Sequence, residues 1–225
     1  MESPTPVLIA AVVDDAERPA LVAASEQLSE CLSAASGVRW PVGIRLLDSI
    51  ADIQKPTVII TSLLPEVARA DEPISLTEAR WRLDLSKIME LAVPSVFVCT
   101  VFRFVANQSN PGQPDARPRK LERIRLLNLL AAQLSHDIGI NVIDIDSIFA
   151  HAGARQMQTD YRLAGAVAAE VAAYTIVVGI LAVGLDDIIP IDVQERAREY
   201  QGEFLRINDI INRRLKQRQL AQRWA

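Results

Sequence analysis

The residues able to do chemistry in this chain gather where apolar, β-branched runs stop. Asp14 and Asp15 follow the run at 7–13, and Thr61 and Ser62 close the run at 57–63. Arg103 and Asn107 stand at the end of the run at 95–105, and Asp144, Asp146 and Asp160 follow a fifth run that begins at Asn141. Ser62 is a candidate nucleophile, His151 a candidate base, and Asp160 a carboxylate of the kind that orients a base; together they would suit acyl transfer to a hydroxyl. Nothing in their spacing demands that grouping, and each residue has a plainer role. Asp160 is placed to cap a helix starting near Tyr161, and Asp14 or Asp15 to cap the first helix. Asp14 and Asp15 could also hold a cation, but no histidine or further acid lies adjacent, so no metal site is assigned. The other histidine, His136, lies near a helix end, where its charge complements the helix dipole.

Composition bounds what these residues can serve. Half of the 225 residues are apolar and 23% are charged, the make-up of a folded globular chain able to bury a sizeable core. The formal net charge of −4 argues against a nucleic-acid coat, and the basic clusters around Arg119 and Arg213 read as solvated helix faces. Cys31 and Cys99 fall in apolar helix and strand patterns, as reduced core thiols do. The amino terminus lacks the basic start of an export signal, so a cytoplasmic location is expected.

The elements that must position the polar residues alternate along the chain. Strand runs at 7–13, 42–47, 57–63, 95–105 and 141–145 are separated by helical patterns at 18–35, 75–91 and 119–138. Such alternation specifies an α/β domain, doubly wound around a parallel sheet. The longest strand run, 95–105, is expected near the sheet centre. Ser75 with Glu78 reads as a capping box, and Gly37 and Gly139 as helix stops. Residues 106–118 offer little to bury and many turn formers, a loop expected to be mobile. Catalytic and binding groups of an open parallel sheet collect at the carboxyl ends of its strands, where the acids and Ser62 fall. No glycine-rich turn follows the first strand, so no nucleotide cofactor is implied.

In this order of elements the chain resembles the SGNH/GDSL hydrolases. The stretch from Arg123 to Gly165 carries the resemblance, through a helix, the strand Val142-Ile143-Asp144-Ile145-Asp146, and Asp160-Tyr161-Arg162-Leu163 in the place of the family's closing Asp-x-x-His block. The resemblance implies a flavodoxin-like three-layer sandwich with a five-stranded parallel sheet. It also implies ester or acyl chemistry by a serine, a histidine and an aspartate. Where the family has Gly-Asp-Ser this chain reads Val13-Asp14-Asp15, and where it has histidine this chain reads Leu163. Of the three, only Asp160 matches. The reading that follows is a domain that has lost the usual Ser-His machinery and acts in binding or assembly, with Asp14, Asp15, Arg103 and Asn107 lining its crevice. The alternative is an active hydrolase or acyltransferase with a relocated site using Ser62, His151 or the Asp14–Asp15 pair.

Two apolar segments bear on partners. Residues 163–185 are long and apolar enough to span a bilayer, but the segment includes Glu170 and several glycines and ends on Asp186 and Asp187; it reads as a buried or partner-facing helix. After Pro190 a polar helix carries Val193, Ala197, Tyr200, Phe204, Ile207, Ile211 and Leu215 on one stripe. Such a stripe docks on its own domain or on a partner, and a homo-oligomer or protein complex through Tyr200, Phe204, Ile207, Ile211 and Leu215 is expected. The organisation is then a tail at 1–6, the α/β domain at 7–189 and a long amphipathic helix at 190–225.

Overall fold

The computed structural model describes residues 4–106, 116–153, 158–186, 188–204, 207, 209–213 and 216. Five strands, β1 (Val7–Val12), β2 (Val42–Leu47), β3 (Val58–Ser62), β4 (Ser95–Cys99) and β5 (Asn141–Ile143), pair in parallel in the order β2-β1-β3-β4-β5. β3 holds the centre and is buried along its whole length. The run at 95–105 supplies β4, beside the central strand and likewise buried along its length, near the sheet centre as expected.

Alternation along the strands divides the core into two. Val7, Ile9, Ala11, Val58, Ile60 and Phe97 face one side; Ala10, Ile59, Val96 and Val98 face the other. The first side is covered by α1 (Arg18–Ser36), α5 (Ala166–Val183) and α6 (Ile191–Phe204). The second is covered by α2 (Ile74–Met89) and α3 (Arg117–Ile138), through Leu85, Ile88, Ile124, Leu127, Leu130 and Leu134. The result is the three-layer sandwich, with Gly37 and Gly139 in left-handed conformation closing α1 and α3.

Several boundaries move, each for a visible reason. β4 ends at Cys99 because Asn128 of α3 takes over the backbone beyond it, donating from Nδ2 to the Val101 carbonyl and accepting from the Val101 N–H, both at 2.8 Å. β5 ends at Ile143 because Asp144 caps a helix, α4 (Ile145–Ala152), by accepting from the Ser147 N–H at 3.0 Å. The capping box at Ser75 is not formed: α2 starts at Ile74 after Pro73 without a side-chain cap, and Glu78 pairs instead with Arg82 at 2.8 Å.

The apolar segment at 163–185 contains α5, long and apolar enough to cross a membrane. Here it packs against α1, with Ala168, Val171, Ala172, Ala173, Ile176, Val177, Ile180 and Leu181 buried in the core of its own domain. Gly184, just beyond it, meets the ring of Phe97 so closely that an added Cβ would lie 3.0 Å from Cζ.

The C-terminal stripe is likewise turned inward. Val193, Ala197 and Ile211 are buried, and Tyr200 and Ile207 pack half-buried on the same core. The Arg196 and Arg198 guanidiniums donate to the carbonyls of Ala35 and Leu181, and Arg213 pairs with Glu170 at 3.2 Å. The described stripe residues therefore pack on their own domain, one of the two dockings the stripe allowed, and Tyr200 and Ile207 keep part of their surface exposed. Phe204 is helical in its backbone. Leu215 lies outside the described residues, as do 107–115, which include Asn107 and most of the loop expected at 106–118.

Candidate functional site at the carboxyl edge of the sheet

β1 and β3 are neighbours, so the chain leaving each reaches the same point on the sheet edge. After β1 it turns through Asp14, whose Oδ1 accepts from the Ala16 N–H at 2.9 Å, and delivers Glu17 immediately before α1. Glu17 is 4% exposed and Ser62, the last residue of β3, is 3% exposed, so both polar groups are enclosed. Ser62 Oγ donates to Glu17 Oε1 at 2.7 Å and accepts from the Leu64 N–H at 3.0 Å; Glu17 Oε2 accepts from the Asp14 N–H at 3.0 Å. Burial pushes the Glu17 carboxyl up to about 7, against the smaller lowering effect of the Ser62 and Asp14 hydrogen bonds.

Cys99 pairs in register with Ser62, and burial, with the Glu17 charge adding to it, lifts its thiol well above the ordinary range. Burial also raises the Cys31 thiol to about 12, and Cys31 donates to Gln201 Oε1 at 2.8 Å. Both are free cysteines held as thiols.

A second polar group stands beyond β4 and β5. The Thr100 hydroxyl donates to Asp144 Oδ1 at 3.2 Å and accepts from the Asp146 N–H at 3.0 Å, locking the start of α4 to the end of β4. Asp146 is buried and binds Arg103 twice, accepting from its backbone N–H at 2.8 Å and from Nε at 2.5 Å. Arg103 itself remains half exposed.

Asp160, 5% exposed, makes a comparable pair. Its Oδ1 accepts from Arg162 Nε at 3.0 Å and from the Arg162 backbone N–H at 3.1 Å, while Oδ2 accepts from Nη2 at 2.7 Å. Burial by itself would raise this carboxyl, but the Arg162 hydrogen bonds outweigh it and hold Asp160 below its ordinary value. The expectation that Asp160 caps a helix at Tyr161 is corrected: the next helix, α5, starts only at Ala166, after Gly165. Leu163 between them is buried and takes a left-handed backbone with φ 54°, uncommon for a side chain of its size.

The remaining sequence candidates scatter. Asp15 is solvent-exposed and pairs with Arg18 at 2.8 Å, and neither Asp14 nor Asp15 caps α1, whose N-cap position is Glu17. His151 is exposed on α4, and no hydrogen bond among the described residues joins it to Ser62 or Asp160. Nor do His, Cys, Asp and Glu form a cluster of three suited to a metal among the described residues. Glu17 is absent from the sequence candidates. Its signal is an acid four residues past a buried run, just before the Arg-Pro that starts a helix.

No family model matches this chain, and no curated protein matches it in sequence. Solved structures do resemble it. A variant of an acetyl-xylooligosaccharide esterase from Geobacillus stearothermophilus superposes with a TM-score of 0.54 at 14% identity, covering 84% of this chain and 100% of that one. LAE5, an α/β hydrolase enzyme from the Lake Arreo metagenome, gives 0.52 at 14% identity over 77% of this chain and 94% of its own. A DUF4886 family protein from Bacteroides uniformis gives 0.52 at 13% identity over 87% and 94%. At such identities the likeness is one of fold. With the five-stranded parallel sheet and its two helical layers, it gives this chain the SGNH/GDSL hydrolase-like fold.

Proposed function

We propose that this SGNH hydrolase-like domain does not use the family's Ser-His ester chemistry and acts by binding at the carboxyl edge of its sheet. The observation carrying this reading is the state of Asp160. Both of its oxygens are occupied by Arg162, and the neighbouring Leu163 is apolar and buried, so no imidazole is held there to accept a proton. The exposed, ion-paired Asp15 likewise supplies no hydroxyl where the family's nucleophile belongs. Assembly with a protein partner is compatible with this reading, through surfaces other than the inward-turned face of the last helix.

One observation favours a second reading, an acyl hydrolase or transferase with a relocated site. Ser62 donates to a carboxylate poised near neutrality, the relation of a nucleophile to its base. Against it stands the burial of both groups, which leaves no approach for an ester carbonyl. The test is turnover of short-chain aryl esters by the full chain and by Ser62→Ala, Glu17→Gln and His151→Ala. No turnover by the unaltered chain is expected. Turnover that Ser62→Ala or His151→Ala abolishes would overturn the binding reading.

A further inference from the structure

Beside the Asp160–Arg162 pair lies an open cleft of about 300 Å³, bordered by Phe104, Ala106, Thr159, Asp160, Arg162 and Ala164. Three observations define its chemistry. First, the guanidinium is fixed but only partly engaged. Asp160 takes the Nε–Nη2 edge, Nη1 has no partner among the described residues, and the side chain is 47% exposed. The remaining Nη1–Nη2 edge has the spacing to grip a second oxyanion with two parallel N–H bonds. A buried carboxylate orients that fork in advance, which reduces the ordering cost of binding.

Second, positive charge converges here. The Tyr161 ring has Lys120 Nζ at 5.7 Å and the Arg162 guanidinium carbon at 5.6 Å from its centroid. Lys120 donates to the Tyr161 hydroxyl at 3.5 Å and has no acidic partner among the described residues. Asp160 balances Arg162, so Lys120 is the surplus. It stands in the first turn of α3, which contains no acid and presents the positive end of the helix dipole. Third, the cleft has an apolar wall. The Phe104 side chain is exposed at its border, and its carbonyl is held by the Tyr161 N–H at 2.7 Å, which ties the wall to the charged pair. Arg103, oriented by the buried Asp146, precedes it.

We propose that this cleft binds a small organic oxyanion, a carboxylate or phosphate monoester on an apolar body, with Arg162 as its direct contact and Lys120 as a supporting charge. The site rests on the binding reading above and gives it a ligand class. Phenyl phosphate and benzoate are the probes, titrated by calorimetry against the full chain at about 0.15 M salt, where exposed charges alone are largely screened. Inorganic phosphate reports the charged group alone, and benzyl alcohol the apolar body alone.

Saturable binding of at least one aromatic anion below about 10 mM is expected, with inorganic phosphate and benzyl alcohol each about tenfold weaker. Arg162→Gln should weaken the aromatic anion about tenfold or more. Lys120→Gln leaves the Asp160 pair intact, so it should weaken binding about threefold with an unchanged melting temperature. Absence of saturable binding by both aromatic anions, benzyl alcohol binding as well as they do, or affinity unmoved by both substitutions would each overturn the site. Ester turnover by the unaltered chain would overturn the binding-only reading while leaving this titration to stand or fall by itself.

Discussion

Ser62 at the end of the central strand and Glu17 at the threshold of α1 share a 2.7 Å hydrogen bond, although 45 residues separate them in the chain. A carboxyl with so little contact with water makes the stability of the fold depend on pH. Burial raises the Glu17 pKa from an ordinary 4.5 to about 7, so the folded protein retains a proton that the unfolded chain has already released. Stability contributed by this group is complete below pH 4.5, falls as pH rises toward 7, and is flat beyond. The difference between the plateaus is about 3 kcal/mol. Glu17→Gln should abolish that fall, so that its melting temperature gains on the unaltered protein between pH 5 and 8. Parallel thermal melts across that range check this; parallel pH profiles would refute it.

Arg123 is 2% exposed and threads three connections into one point. It donates to the Glu66 carbonyl at 3.2 Å, the Glu72 carbonyl at 3.0 Å and the Thr77 hydroxyl at 2.5 Å, tying α3 to the turn that follows β3 and to the start of α2. Arg123→Met should destabilise the domain by about 3 kcal/mol, because it leaves buried acceptors without donors. Arg123→Lys should recover little, since one ammonium cannot reproduce the planar fork. Denaturant unfolding of both variants decides the matter, and full recovery by lysine would count against the fork.

Gly184 has no room for a methyl group. An added Cβ would sit 2.8 Å from the Ile180 carbonyl oxygen and 3.0 Å from Phe97 Cζ, and Phe97 is itself fully enclosed. Gly184→Ala should therefore lower stability by about 1–3 kcal/mol without changing the secondary structure. An unchanged melting temperature would show that Phe97 yields.

Deletion of residues 191–225 strips cover from α1 and α5. The segment buries Val193, Ala197, Ile210 and Ile211, so its loss should lower the melting temperature by roughly 10 °C or more and cause aggregation. Calorimetry with light scattering tests this. A truncated chain of undiminished stability would mean that α6 is an appendage after all.

The strands were legible because a parallel sheet buried on both faces demands unbroken β-branched runs, and Pro56 and Pro94 mark where two of them begin. Gly37 and Gly139 announced the ends of α1 and α3 for the same local reason. α4 stayed hidden because Val-Ile-Asp-Ile-Asp alternates like a strand, while a cap bond from Asp144 turns its second half into helix. The pairing of Glu17 with Ser62 exists only because β1 lies beside β3, a fact of topology that no local pattern carries. Asp160 and Arg162 are two residues apart and plainly visible, yet the sequence does not say whether a carboxylate faces a backbone N–H or a guanidinium. The stripe on the last helix was equally plain, and only the fold shows which surface it covers.

Asn128 gives the segment after β4 a backbone partner that a chain leaving the end of a sheet normally lacks. By gripping the Val101 N–H and carbonyl together, its amide imitates one more strand and keeps the outgoing chain indexed to α3. Phe102, Arg103 and Phe104 thus inherit the stiffness of a six-turn rod anchored at Leu127, Leu130 and Leu134, instead of the looseness of a surface loop. A longitudinal slip of that rod would carry the arginine and both rings with it, since the two bonds of Asn128 fix the outgoing chain to the helix.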